Sequence, residues 1–418
     1  MIKKIKIYIT LAAVAFSSVS CLDKYPEDAI PEGDAIRTVE EANQAVIGIY
    51  AYMKNPNLYS GLLTLLPDLQ ADLAYAVEGY TNTYGNIWRW DILPTNTEVE
   101  AVYGTLNALI GKCNFLLERI AVLEQEVDDE DYEKLQQFKG EALFARALSY
   151  SDLIKMYCKA YDPATAADEL GVVLVSSYSN AGTLKRASLK DSYQFVLDDL
   201  AQSATCLKPD ENENDESYYD TPYFTIYAVN ALYARVYLNM QEWDKAIEYA
   251  SKVIDSRKFK LSSTTEMIDS ETSYYQYMWQ YDHSTETIWK VGFTTTSYGG
   301  SLGQIFFNYD FNSFKPDYVP AEWVLNLYAD TDLRATTFFQ FYRTGYEHGL
   351  QWPLLAKYFG NQEFYEQNIL HVTMPKVFRL SEQYLIRAEA YCQKSNPEYG
   401  KGANDLTTLR QARYSNYG

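Results

Sequence analysis

A mainly α-helical fold, with tetratricopeptide-like helical pairs forming a scaffold and a loop-rich, partly β lobe for ligand binding, follows from three features of the sequence. Apolar residues recur at helical spacing along most of the chain. Residues 222–257 place Ala234, Tyr237, Trp243 and Ala246 at the offsets of a helix–turn–helix repeat, with small residues for close approach and aromatic residues around the turn. Residues 258–378 change character and become rich in Gly, Ser, Thr, Asn and aromatic side chains.

The 418 residues suffice for a large core or for several packed lobes. Hydrophobic residues at 47% and charged residues at 22% exclude wholesale disorder and collagen-like or disulfide-scaffold classes. Against 36 basic residues stand 56 acidic ones, a net charge of −20. Such a surface repels phosphate backbones and anionic lipid, so nucleic acid is excluded as a partner. Tyrosine is abundant at 39 residues, and its flat ring with a hydroxyl suits wet recognition surfaces as well as helix packing.

Residues 1–20 read as a secretory signal, with Lys3, Lys4 and Lys6 ahead of a short apolar run and small residues at its end. The following Ser18-Val19-Ser20-Cys21 resembles a bacterial lipobox, which implies cleavage before Cys21 and lipid attachment to it. Residues 21–37 then form an extended linker, kept from starting a helix early by Pro26. Membrane attachment is expected through this lipid only, since no later stretch approaches ~20 apolar residues. The remaining cysteines, Cys113, Cys158, Cys206 and Cys392, form no C-x-x-C pair and are expected as free thiols.

A single domain is expected over residues 38–418. Its helices fall at about 38–54, 97–158, 188–257 and 379–413, with the loop-rich lobe at about 258–378. The first helix opens on a capping box of Thr38 and Glu41. Thr97 with Glu100 predicts a second box, and Ser188 caps the helix over 188–206. Residues 124–133 carry seven acids in ten and predict a solvated loop. Residues 209–220 are also an acidic loop, without the glycine that a calcium loop needs. The helical-pair cue returns at Ala388 and Tyr391, followed by Ala403. Residues 286–293 alternate and predict a strand.

No catalytic constellation stands out. Gly299-Gly300-Ser301-Leu302-Gly303 fits G-x-S-x-G, and Asp330 or Asp332 with His371 would complete a hydrolase order. That elbow, however, needs a strand before the serine and a helix after it. The three histidines are scattered, so neither a zinc site nor any cofactor is expected. Aromatic density on loops remains. Tyr80, Tyr84 and Trp88 stand beside Asn and Thr, and Tyr298, Asn308, Tyr309 and Asn312 form a second group. Flat rings beside amides and hydroxyls suit sugars. Trp90 is expected to pack the loop base onto the 97–123 helix.

Six segments follow one another along the chain: Cys21-Leu-Asp-Lys-Tyr-Pro, the helix from Thr38, Gly140-Glu-Ala-Leu-Phe-Ala-Arg-Ala-Leu, Tyr233-Ala-Arg-Val-Tyr-Leu, Arg379-Leu-Ser-Glu-Gln-Tyr-Leu-Ile-Arg-Ala-Glu-Ala-Tyr and Asn404-Asp-Leu-Thr-Thr-Leu-Arg. In this order they resemble the SusD/RagB family of surface lipoproteins. The resemblance implies four tetratricopeptide-like units under the lobe and outer-membrane, cell-surface attachment. It further implies binding without catalysis of a glycan, an oligosaccharide or, in some members, a peptide, and a SusC-like TonB-dependent transporter as partner. It transfers no ligand-contact residue. Alternatives are a hydrolase using Ser301 or an adaptor that binds only protein or peptide. Family members continue past the Asn404–Arg410 motif with a further helix, so a C-terminal truncation is expected, with Leu406 and Leu409 short of packing partners.

Overall fold

The structure, a computed structural model, describes residues 35–178, 184–208, 219–310 and 313–417. The expected signal segment, Cys21 and most of the acidic 209–220 stretch lie outside these residues.

Helix α1 (Val39–Tyr52) starts at the expected capping box: the Thr38 hydroxyl accepts from the Glu41 N–H and the Glu41 carboxylate accepts from the Thr38 N–H, each at 3.2 Å. Further along run α2 (Leu62–Gln70), α3 (Thr97–Leu123), α4 (Asp129–Tyr157) and α5 (Leu189–Cys206). They are followed by α6 (Ile226–Asn239), α7 (Trp243–Ile254), α8 (Tyr274–Gln280), α9 (Leu380–Gln393) and α10 (Tyr399–Gln411).

Two helix starts differ from the sequence reading. The end of the acidic run is not loop: Asp128 caps α4, its carboxylate accepting from the Asp131 N–H at 3.0 Å, and residues 129–131 form the first turn. Carboxylates are stabilised there by the positive end of the helix dipole. Thr97 is the first residue of α3 rather than its cap; Asn96 holds the cap position and turns its side chain back to the Leu93 N–H.

The long helices pack side by side: α3 on α4, α4 on α5, α6 on α7, α7 on α9 and α9 on α10. In the 222–257 unit, Ala234 and Ala246 are fully buried, with Tyr237 and Trp243 packed against them. Tyr249 stacks on Tyr233 with ring centroids 4.2 Å apart, which fills the space the two alanines leave beside the turn. In the last unit Ala388 is buried, but its small partner is Gly402, not the exposed Ala403. A Cβ on Gly402 would stand 2.9 Å from the Ala388 carbonyl, a distance that admits only glycine.

Strands are short and, among the described residues, occur in antiparallel pairs. They are β1 (Ala74–Ala76) with β7 (Tyr318–Pro320), β2 (Leu170–Val173) with β3 (Arg186–Ser188), and β4 (Thr287–Lys290) with β10 (Lys376–Arg379). The remaining pairs are β5 (Tyr309–Asp310) with β6 (Ser313–Phe314), and β8 (Phe339–Arg343) with β9 (Gln351–Leu355). The predicted 286–293 strand is β4. All four of its residues are buried, because it runs through the scaffold core rather than along a wet edge.

The lobe has its own apolar core. Leu65, Leu69, Ala74 and Ala76 meet Leu302, Ile305, Phe306, Phe307, Tyr318, Val319, Leu354 and Tyr358 there. The β1–β7 ladder, with Tyr75 opposite Val319, joins the two chain segments. The lobe therefore draws on residues 62–93 as well as on the loop-rich middle of the chain.

Candidate functional site

The turn between α2 and β1 organises an exposed aromatic surface of the lobe. Two indoles are tied to it. Trp90 donates its Nε1–H to the Gln70 carbonyl at 2.9 Å, and Trp323 donates its Nε1–H to the Asp72 carbonyl at 3.1 Å. Those carbonyls lie two residues apart, within about 7 Å along the chain. Asp72 takes a left-handed conformation (φ 56°), as does Trp90 (φ 61°), and both help turn the backbone at this edge. Trp90 is 64% exposed and Trp323 49%. Each indole has its only polar atom bonded while about half or more of the residue stays open to solvent. Tyr75 adds a third ring: β1 alternates, so it points out, 59% exposed, between buried Ala74 and Ala76.

Two cavities lie against this turn and the end of α2. One of about 320 Å³ is lined by Leu73, Val324 and Leu327, with Asp68 and Lys357 also in its wall. Burial pushes the Asp68 carboxyl above its usual range, opposed by Lys357. The second, about 440 Å³, lies against Pro67, Gln70, Ile87 and Ile92.

The structure distributes the sequence-predicted aromatic residues differently. Tyr80 falls in a short 3₁₀ turn (Gly79–Thr81), and its side chain is outside the described residues. Tyr84 is half-buried at φ 63°, packed between the scaffold core and the lobe core, and burial raises its phenol pKa. Trp88 is also half-buried. Its Nε1–H goes to the Ala74 carbonyl at 2.9 Å, and Tyr75 meets it edge-on at 6.2 Å. Trp88 thus lies beneath Tyr75 as part of the packed base of the lobe. The 79–90 loop is clamped to the lobe by the Asn82 side chain on the Asp317 carbonyl and by the Tyr318 hydroxyl on the Thr83 carbonyl.

Of the second group, Tyr309 is 63% exposed on β5, edge-on to Phe314. Tyr298 is exposed near Phe364, at 6.4 Å between centroids. Asn308 is half-buried, and its carbonyl accepts from the Lys315 N–H at 2.6 Å. Asn312 lies outside the described residues. None of these makes a ring contact with Trp90 or Trp323 among the described residues. Trp90, expected to pack on α3, faces outward instead, because its own N–H draws it onto the α2–β1 turn. Trp323 had no sequence signal beyond an aromatic beside Glu322 in a helical turn (Glu322–Leu325) that buries none of its residues.

Ser301 is exposed, on an irregular segment. The Gly300 N–H donates to the Ser60 hydroxyl at 3.0 Å, and only a four-residue helical turn (Gln304–Phe307) follows. Its would-be partners are bound elsewhere. His371 donates Nδ1–H to the Phe359 carbonyl at 2.8 Å, and Asp332 is paired with Arg334 at 2.5 Å. The strand-to-helix elbow and the Asp–His bond of a triad are thus both missing among the described residues. No group of three or more His, Cys, Asp or Glu is placed to hold a metal among those residues.

Stacked helical pairs carrying a lobe edged with tethered aromatic rings define a helical-repeat scaffold protein of the tetratricopeptide-like kind. The chain belongs to the SusD-like family described as starch-binding and associating with the outer membrane, whose pattern matches residues 22–238. SusD-like protein P2 of Formosa agariphila is 23% identical over 257 residues, 61% of this chain and 46% of that protein, so the match spans about half the curated relative's length. Among solved structures, a SusD superfamily protein from Bacteroides thetaiotaomicron superposes with TM-score 0.76 at 22% identity, covering 91% of this chain and 81% of the other. The surface glycan-binding protein A of Bacteroides uniformis gives 0.68 at 17% identity, covering 90% and 81%. At these identities the two structures share the fold. Among the described residues no helix is long and apolar enough to cross a membrane.

Proposed function

We propose that this chain is a cell-surface lipoprotein that holds a glycan on the Trp90–Trp323 edge and passes it to a SusC-like TonB-dependent transporter. The paired indoles carry the reading. Their N–H groups are spent on the Gln70 and Asp72 carbonyls, so what they present is apolar ring face, which matches the C–H face of a sugar. Tyr75 extends the edge, and the neighbouring cavities give room for chain substituents. Cys21, read as the lipidated residue, supplies the membrane affinity that a chain of net charge −20 lacks. The family's description as starch-binding and outer-membrane-associated supports the same reading.

Affinity electrophoresis through gels containing starch, xylan, mannan or laminarin tests it. At least one polymer should retard the wild-type chain, and the Trp90→Ala/Trp323→Ala variant should run as in an empty gel. Equal retardation of both proteins would refute the edge as the binding surface. Polymer of unchanged length after incubation separates capture from hydrolysis. Cys21→Ala should move the protein from the membrane to the soluble fraction, and a tagged chain should co-purify with a barrel transporter.

A further inference from the structure

Another cavity of the lobe has a different chemistry. It lies between α8, the β8–β9 hairpin and the segment 356–362, and has a volume of about 100 Å³. A single water needs only ~10–15 Å³ on this measure, so the space exceeds a one-water site several-fold. Four glutamines line it, Gln276, Gln280, Gln340 and Gln362, together with Trp279 and Tyr342. No lining residue is charged, in a chain where 22% of residues are.

Two observations indicate what this cavity takes. First, the Trp279 indole N–H is buried and meets no acceptor among the described residues. Leaving such a donor unpaired is costly, and an acceptor oxygen entering the cavity would relieve it. The Trp279 ring is fixed for that role. It meets Phe338 edge-on at 5.5 Å, and Lys376, Arg379 and Lys357 stand 4.9, 5.3 and 5.8 Å from its centroid. Secondly, the amides are largely uncommitted. Gln276 uses its oxygen to cap α8 and Gln340 accepts from the Tyr342 hydroxyl, which leaves both NH₂ groups; Gln280 and Gln362 make no side-chain hydrogen bond among the described residues. An amide offers a donor and an acceptor side by side, the complement of adjacent hydroxyls that do the same.

We propose that this cavity is a second carbohydrate site, taking a single neutral, hydroxyl-rich ring and separate from the Trp90–Trp323 edge. Lys357 and Phe338, which line the 320 Å³ cavity and contact Trp279, form the partition between the two regions. The exposed edge would grip a polymer by its ring faces, whereas this cavity reads the hydroxyls of one unit and rejects an ammonium, since no lining residue is an acid and Lys376, Arg379 and Lys357 already stand around Trp279.

The test uses the full chain with Trp90→Ala/Trp323→Ala, so that the exposed indoles contribute nothing. Glucose, galactose, mannose and xylose are titrated by ligand-observed NMR, alongside glucosamine. At least one neutral sugar should bind, with glucosamine about tenfold weaker or more. Gln280→Ala/Gln362→Ala should weaken that binding at least about tenfold with an unchanged melting temperature, and Trp279→Phe should weaken it about fivefold. Failure of all four neutral sugars to bind overturns the proposal, as does undiminished binding by the folded double-glutamine variant. Either result leaves polymer retardation by the wild-type edge unaffected, so the two readings fail separately.

Discussion

Arg235 of α6 grips Glu382 of α9 through two parallel hydrogen bonds of 2.7 and 2.8 Å, and its guanidinium lies 4.2 Å from the centre of the Phe378 ring. The same side chain donates to the Val377 carbonyl at 2.8 Å. The device recurs along the scaffold: Arg146 of α4 holds Asp199 of α5 at 2.8 and 2.7 Å, and Arg387 of α9 holds Asp405 of α10 at 2.8 and 2.7 Å. A planar fork against a carboxylate fixes angle as well as distance, so each pair sets the register of one helix on another. Glu382→Ala should lower unfolding free energy by about 2–3 kcal/mol in urea titrations, because it leaves a mostly buried guanidinium without its counter-charge. Glu382→Gln, which keeps the shape, should cost less; equal losses would mean that packing and not charge holds this joint.

Two helix glycines should respond to alanine with opposite signs. A Cβ on Gly140 of α4 would stand 2.7 Å from the Cys206 Cβ and 2.8 Å from Leu207 Cγ, so α5 can approach only while residue 140 is bare. Gly140→Ala should cost about 1–3 kcal/mol through overpacking. Gly111 of α3 has nothing within 4 Å of the same position, so Gly111→Ala should gain up to about 1 kcal/mol from helix propensity. Thermal melts of the two variants, falling and rising respectively, check the close approach of α4 and α5.

The scaffold is legible in the sequence because its determinants are local. Ala234, Tyr237, Trp243 and Ala246 meet their partners within one helix–turn–helix, and Ser188 caps its own helix at 3.0 Å. The last unit is misread by one position, Ala403 for Gly402, because the turn length there shifts the register and both residues are small. The site is far less legible. Trp90 and Trp323 come from distant parts of the chain and meet only through the carbonyls of Gln70 and Asp72, a backbone contact that leaves no side-chain pattern. Trp88 and Trp90 differ by two residues; the sequence offers Trp88 for binding and Trp90 for packing, yet Trp88 faces the lobe core and Trp90 faces solvent. The arginines of the recurrent joints lie inside the quoted family segments, but their carboxylate partners become apparent only in the packed structure.

Stability should fall on acidification through His371. This imidazole is buried, stacked on Phe307 at 5.4 Å, with Nδ1–H donated to the Phe359 carbonyl. Burial lowers its pKa below the usual value of 6.5, against a smaller opposite pull from that carbonyl. The unfolded chain therefore binds more protons as pH drops below about 6.5. The stabilisation is complete above that pH and is lost as pH falls through the lowered folded value. Buried Glu141 and Asp199, whose carboxyls are raised by burial, act in the opposite direction, so the comparison must isolate the histidine. The melting temperature of wild type should drop more steeply than that of His371→Gln between pH 7 and pH 5; parallel curves would rule the histidine out.

Trp88 and Trp90 should separate stability from binding. Trp88 is half-buried against the lobe core and bonded to Ala74, so Trp88→Ala opens a hole beneath Tyr75 and leaves a carbonyl without its donor. The expected cost is about 2–3 kcal/mol, at or below the lower end of fully buried tryptophan truncations because part of the ring is already wet. Trp90 is mostly exposed, and its removal forfeits one hydrogen bond and little packing, so Trp90→Ala should change stability by less than about 1 kcal/mol. Polymer retardation should show the reverse order: near-complete loss for Trp90→Ala, and for Trp88→Ala a loss no larger than its unfolding explains when the gel is run well below its melting temperature. If Trp88→Ala abolishes retention in a fully folded chain while Trp90→Ala retains it, the ligand lies on the inner ring and the exposed edge is not the grip.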